Sequence, residues 1–347
     1  MFCAAGMKSP ITRIVKQYEE EYGGKVRLQF GGSGTLLSNL QIAPGDIYLA
    51  ADSGYTDEAK KRGLVAETMP VALMKAGFGV SPGNPKNITS LADLTREGIR
   101  VGIGSPEAAS VGKFAKKILS KHGAWEGLNP TAVVPTVNEL ANAIKLDAVD
   151  VVILWDAVAH QYPDVDFVSV PEFDLEKKDV TIAVTTACQA PTAALKFCRY
   201  VTSREKGNEV FREEGYEVEE GDSWAEHPEI LLFSGAMLRP ALEESIRKFE
   251  EREGVTIQPV YNGCGVLVSQ MRAGEKPDAY FSCDESFMTA VEDQFGKSTV
   301  VSANEMVILV ETGNPKSVGG LEDLTKPGIR LGLAHPQKSA LGALSRR

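Results

Sequence analysis

This chain of 347 residues carries one plan twice, and that repeat constrains its fold more tightly than any local pattern. AAGMKSPI at Ala4–Ile11 returns as SGAMLRPAL at Ser234–Leu242, 230 residues later. GGSGTLLSNL from Gly31 returns as NGCGVLVSQM from Asn262, offset by 231. GDIYLAAD, ending at Asp52, returns as PDAYFSCD, ending at Asp284. GNPKNITSLADLTREGIRVGIGSP from Gly83 returns as GNPKSVGGLEDLTKPGIRLGLAHP from Gly313. Collinear blocks whose offsets drift by at most two residues read as a tandem duplication. The first copy spans residues 1–222 and the second 229–347, with the acidic stretch EVEEGDSWAEHPE read as a solvated linker. The second has counterparts to the first only up to about residue 117, so it reads as a truncated repeat.

Within the first copy, strand-like and helix-like segments alternate, the signature of an α/β sheet. Pro10 suits the first turn of a helix with Ser9 as its cap. Ile11, Ile14, Val15, Tyr18 and Tyr22 then share one face, and Gly23 and Gly24 end the helix. KVRLQF alternates as a strand, and the glycine-rich turn after it runs straight into the helix TLLSNLQIA. IRVGIGSP and SVGKFAKKILSKHG repeat the scheme, and TAVVPTV leads into the helix NELANAIKL. DVVILW and DVTIAVTT are apolar runs that read as buried strands. Two helices in APTAALKFCRYVTSREKGNEVFREEGY close the copy.

Charge and residue usage exclude several functions. Acidic residues outnumber basic ones 47 to 37, which argues against a broad basic surface for nucleic acid or anionic lipid. No apolar run reaches the ~18–20 residues of a membrane span. The opening MFCAAGMKSP reads as the first strand of the fold rather than as a signal peptide. Cys3, Cys188, Cys198, Cys264 and Cys283 include no CxxC pair, and most of them read as small buried residues rather than a disulfide framework. The four histidines fall in no ligand spacing, so no metal site is expected.

Four turns of the first copy share one design: a strand ends, small residues follow, and a helix begins. They are Ala4–Ser9, Gly31–Thr35, Ala108–Gly112 and Pro135–Asn138. Each helix start presents unpaired N–H groups and the positive end of a dipole. In an open α/β sheet such turns line the crevice at the carboxyl ends of the strands. Several converging on one point bind a small anion without lysine or arginine. One turn alone is only a tight connection.

The ordered motifs FCAAGMKSP, FGGSGTL, GDIYLAAD, SPGNPKNITSLADL, GIRVGIGSPEAASVGKFAKKIL and PTVNELANAI resemble those of the periplasmic molybdate/tungstate-binding proteins of ABC importers. The resemblance spans the whole first copy. It implies a type II periplasmic binding fold, two α/β lobes joined by a two-strand hinge with the ligand in the cleft. Lobe one is then expected at 1–80 and 184–222 and lobe two at 84–180, crossing near Ser81–Gly83 and Val180–Val184. It further implies a periplasmic or extracellular receptor, not an enzyme, that takes a molybdate or tungstate oxyanion, needs no cofactor, and delivers the anion to an ABC permease. Carried over position by position, the ligand contacts fall on Gly6, where the family usually has serine, then on Ser33, Val111 and Val137. The fifth falls on Trp155, in place of a tyrosine, if a two-residue deletion is accepted. The second copy matches the first three with Ala236, Cys264 and Leu341 and has no counterpart to the last two. Its truncation is expected to uncover a sheet edge and Met306, Ile308 and Val310, favouring self-association.

Other polar residues read as structural. Asp46 and Asp52 recur as Asp278 and Asp284 in the incomplete copy, which favours turns and caps over acid–base chemistry. Asp156 reads as the start of the helix AVAHQY, and Glu107 and Lys113 as solvated side chains beside the third turn. The alternative reading is a ligand-sensing regulatory module, or a binder of another anion such as sulfate. A sensor would carry a helix-turn-helix, and no segment reads as one. No nucleophile elbow, P-loop or paired base supports an enzyme on the same fold.

Overall fold

The computed structural model describes residues 1–346, which fall into two units, residues 1–226 and those from His227 on. In the first unit the alternation begins with β1 (Phe2–Ala4), α1 (Lys8–Tyr22), β2 (Gln29–Gly31), α2 (Ser33–Asn39), β3 (Ile47–Ala50) and α3 (Ser53–Lys61). A 3₁₀ turn at Ala5–Met7 already winds the backbone, so α1 starts ahead of Ser9, which lies inside the helix and does not cap it. Gly23 ends α1 at φ 71°, the left-handed geometry a helix stop needs. The strand in KVRLQF is confined to its last residues because its partner β1 offers only three, Phe2 to Ala4 opposite Gln29 to Gly31.

The chain continues through β4 (Val65–Met74), β5 (Ala76–Val80), β6 (Val101–Gly104), α4 (Ser110–Lys121), β7 (Ala132–Val134), α5 (Val137–Lys145) and β8 (Val151–Trp155). Then come α6 (Asp156–His160), β9 (Asp166–Val168), α7 (Pro171–Asp174), β10 (Lys178–Thr185), α8 (Pro191–Thr202) and α9 (Gly207–Glu213). One sheet has the order β2-β1-β3-β10-β4 and the other β7-β6-β8-β5-β9, the same pattern twice. In each, three parallel strands are followed by an antiparallel one that belongs to the crossover.

The lobes change over earlier than the sequence suggests. Met74 pairs with Lys178 in the first sheet and Ala76 pairs with Trp155 in the second, so the outward crossing is Lys75. The return lies between α7 and Lys178. Neither crossing falls at Ser81–Gly83 or Val180–Val184. The Pro/Gly-rich turn there belongs to lobe two, where the Gly83 amide donates to the Asp166 carboxylate at 2.7 Å. One apolar run, VAETMPVALMKAGFGV, crosses both sheets, and only its partners reveal where it changes.

The acidic stretch after Tyr216 is likewise no free linker. Glu217 pairs with Lys177, and the Trp224 indole donates to the Tyr22 hydroxyl at 3.0 Å. Trp224 also packs on Tyr22 and Tyr200, with ring centroids 6.0 and 5.1 Å away. Glu213 and Glu214, just ahead of that stretch, pair with Arg13. Aromatic packing outweighs the solvation of the neighbouring carboxylates.

The second unit repeats the opening of the first: β11 (Glu229–Gly235), α10 (Arg239–Glu253), β12 (Thr256–Asn262), α11 (Cys264–Arg272), β13 (Ala279–Phe281), α12 (Glu285–Thr289) and later α13 (Ala340–Ser345). Its sheet has the order β12-β11-β13, all parallel. Its buried core is small: Phe233, Leu267, Val268, Met271 and Val291. In the first unit α1 buries Ile11, Ile14, Val15 and Tyr18 and packs on α8 and α9, each such side chain contributing ~1.5–3 kcal/mol. No residue of α10 is buried, and Met306, Ile308 and Val310 are exposed. Among the described residues no helix is long and apolar enough to cross a membrane.

Candidate functional site

The parallel strands of both lobes in the first unit point their carboxyl ends at one crevice. Ala4, Ala5, Gly6, Gly31, Gly32, Ser33 and Ala51 line it from lobe one, and Ala109, Ser110, Val111, Val137 and Trp155 from lobe two. The space between them is about 10 Å³, room for one water-sized sphere. An organic ligand needs ~300 Å³ or more. All five positions carried over from the resemblance, Gly6, Ser33, Val111, Val137 and Trp155, meet on this one cavity.

Among the described residues no lysine, arginine or carboxylate lines the cavity, so its polarity comes from helix starts and neutral donors. Helix α2 begins at Ser33 and α4 at Ser110, and neither has a side-chain cap. The amides of their first turns therefore lack intrahelical partners. In α5 the Thr136 hydroxyl caps only the Glu139 amide, leaving Val137 at the open end. The Ser33 hydroxyl is buried and accepts from the Ala51 amide at 3.2 Å, which leaves its proton free to donate. The Tyr48 hydroxyl holds this turn by donating to the Ser33 carbonyl at 2.8 Å. Gly6 is held by Tyr216, whose hydroxyl donates to the Gly6 carbonyl at 2.6 Å. Trp155 is wholly buried, and its indole N–H has no partner. A buried orphan donor costs ~1–3 kcal/mol, so this one asks for an acceptor.

Glycines let the lobes come this close. The Gly34 amide donates across the cleft to the Ala108 carbonyl at 2.9 Å. A Cβ on Gly32 would lie 2.5 Å from the Pro135 carbonyl oxygen and closer still to that of Ala108. Lys113 leaves the cavity to lie over the Tyr55 ring at 4.9 Å, another bridge between lobes. The Asp156 carboxylate accepts from the Ala157 amide at 2.8 Å and from the amide of the crossover residue Lys75 at 3.0 Å. Burial raises its pKa, partly offset by those two amides. Asp52 and Asp284 cap α3 and α12, and Asp278 accepts from the Leu231 amide, all structural roles.

Sequence reasoning missed Ser110. It lines the cavity and is 5% exposed. The signal was present, because the turn that places Val111 places Ser110 at the first residue of the same helix. In the second unit the matching positions do not gather so tightly: Cys264 is buried, but Ala236 and Leu341 are exposed. Cys3, Cys198 and Cys264 are buried, in line with the expectation for most of the cysteines, while Cys188 and Cys283 are half-buried. Among the described residues no group of three metal-ligating side chains gathers.

The chain is similar to proteins of known kind. It is 29% identical over 220 residues to a protein of Haemophilus influenzae described as a binding protein, covering 62% of this chain and 89% of that one. It is 29% identical over 220 residues to the molybdate-binding protein ModA of Mycobacterium bovis, covering 62% and 83%. The periplasmic molybdate-binding protein of Azotobacter vinelandii superposes with a TM-score of 0.53 at 17% identity, over 63% of this chain and 98% of that one. That likeness is one of fold, and the fold is the type II periplasmic binding fold. The family model described as bacterial extracellular solute-binding protein matches residues 1–217 and residues 230–346. With nearly its whole length matched, the chain belongs to the bacterial extracellular solute-binding protein family.

Proposed function

We propose that the first unit is a receptor, working outside the cytoplasm, that captures a molybdate or tungstate anion between its lobes. It hands the anion unchanged to the permease of an ABC importer. The observation that carries this reading is the set of helix starts, those of α2 and α4 uncapped, around a cavity with no charged lining, together with the orphan indole N–H of Trp155. A dianion entering there exchanges its hydration shell for fixed N–H and O–H donors and for helix dipoles. With no carboxylate in the lining, an oxyanion that keeps a proton near neutral pH, such as phosphate, finds no charged acceptor for it. Fully ionised tetrahedral dianions are therefore favoured. Opening about Lys75 and the segment before Lys178 admits and releases the ligand, the hinge mode of two-lobed binders.

Titration calorimetry and thermal shift against molybdate, tungstate, sulfate and phosphate test the reading. We expect one site per chain, a melting rise with molybdate or tungstate following RT ln(1 + [L]/Kd), and none with phosphate. The absence of any shift with all four anions refutes the reading. Preference for sulfate refutes the choice of anion alone.

A further inference from the structure

The second unit places two free thiols where the first has a hydroxyl and a methyl. Cys264 stands at the position of Ser33, as the first residue of α11, and Cys283 at that of Ala51, two residues past β13. Their contact copies the first unit: the Cys283 amide donates to Cys264 Sγ at 3.3 Å, as the Ala51 amide donates to Ser33 Oγ at 3.2 Å. The second sulfur needs room, and a third difference supplies it, because Gly235 stands at the position of Ala5. Gly235 has φ −56° and ψ 127°, a backbone any residue adopts, so its lack of a side chain serves space and not conformation. A Cβ there would lie 3.0 Å from Cys264 Sγ and closer still to Cys283 Sγ. Both sulfurs thus flank one point, which Ala5 fills with its methyl in the first unit.

The two thiols also differ in character. The Cys283 thiol donating to Cys264, helped by the Cys283 amide, pulls the Cys264 thiol down to about 6 against the burial that pushes it up. Its place at the start of α11 acts in the same direction. The bond it donates, and burial, push Cys283 up. Cys264 is buried while Cys283 is half-exposed, so one sulfur meets solvent and the other lies behind it.

We propose that Cys264 and Cys283 form a reversible dithiol–disulfide site in the second unit, oxidised by small disulfides such as oxidised glutathione. Cys283 attacks one sulfur of the small disulfide as its proton passes to Cys264, forming a mixed disulfide and releasing one thiolate. Cys264 then gives that proton to solvent and its thiolate attacks Cys283 Sγ, forming the protein disulfide and releasing the second thiolate. The pair gives up two electrons, which the small disulfide takes in becoming two thiols. The bond ties the start of α11 to the segment after β13. The site lies wholly in the second unit.

The test is peptide mapping of the full native chain after incubation with oxidised glutathione and alkylation of the remaining thiols. We expect a Cys264–Cys283 cross-link, two hydrogens lost, Cys188 still free of any cross-link, and reversal by dithiothreitol. Gly235→Ala, which puts a methyl between the sulfurs, should slow cross-linking by about tenfold or more. Should that variant fail to fold, the wild-type map decides alone. Finding Cys264 and Cys283 still separately alkylated or glutathionylated, or Cys283 joined to another cysteine, overturns the proposal.

Discussion

Replacing Gly32 by alanine separates lobe closure from lobe folding. The new methyl would sit 2.5 Å from the Pro135 carbonyl oxygen and closer to that of Ala108, both backbone atoms of the opposite lobe. A carbon–oxygen contact needs about 3.3 Å, so lobe two must retreat by about 0.8 Å or more at Pro135 alone. Neither neighbour is a side chain that can turn aside. Overpacking of this kind costs ~1–3 kcal/mol, charged here to the closed state, since in the open state the lobes stand apart. At 1.4 kcal/mol per factor of ten, the apparent Kd for molybdate should rise by about 5- to 150-fold. The same retreat stretches the bond from the Gly34 amide to the Ala108 carbonyl, adding to the loss. The assay is calorimetry on wild type and variant, with small-angle scattering of the ligand-saturated proteins to read closure. Wild-type affinity within twofold, in a variant that folds and stays compact with ligand, would refute the idea that this close approach is a condition of binding.

The two serines of the cavity should behave differently. Ser33→Ala strands the buried Ala51 amide and should lower both unliganded stability, by ~1–3 kcal/mol, and anion affinity, by about 10- to 150-fold. Ser110→Ala should weaken binding while leaving the unliganded melting temperature unchanged, and equal melting losses in the two variants would contradict the assignment. Trp155→Phe removes the orphan donor, so the affinity should fall by about tenfold or more; a Kd equal to wild type would show that the indole N–H makes no contact with the anion. Burial pushes the Asp150 carboxyl up, but bonds from the Arg100 side chain and amide and from Lys86 outweigh it and hold it well below the carboxylate range. Its folded pKa is depressed, so its stabilisation is fully present above the unfolded value of ~3.9 and is lost progressively as pH falls below that toward the depressed folded value. Melting curves from pH 6 to 2.5 should fall less steeply for Asp150→Asn than for wild type, and parallel curves would refute the role.

The repeat, the strand–helix alternation and the four small-residue turns were all legible in the one-dimensional pattern, because each is a local matter of periodicity or of a residue that lets the backbone turn. The turns that hold Ser33, Val111 and Val137 were legible for the same reason, since a helix start is written in the residues that flank it, but the choice of Val111 and Val137 as contacts came from the family resemblance. Gly6 and Trp155 needed the family resemblance, since a glycine and an apolar tryptophan carry no polar mark of a site, and Ser110 was passed over beside Val111. Local signals also misled. A Pro/Gly-rich turn looked like the hinge, and a run of glutamates looked like a linker.

What decided those points was pairing between distant segments. Met74 and Ala76 belong to different sheets only because Lys178 and Trp155 are their partners, more than 75 residues away. The acidic stretch after Tyr216 joins the first unit because Trp224 finds Tyr22 and Tyr200. The reason for Gly32 appears only when the carbonyls of Ala108 and Pro135 are brought against it, and that of Gly235 only when two sulfurs from separate turns meet beside it. The sequence alone thus determined which segments turn, wind or extend, since those are set by neighbours along the chain. Which turns face one another, and what space remains between them, belonged to the tertiary structure, because contacts across the lobes depend on packing that no single segment encodes.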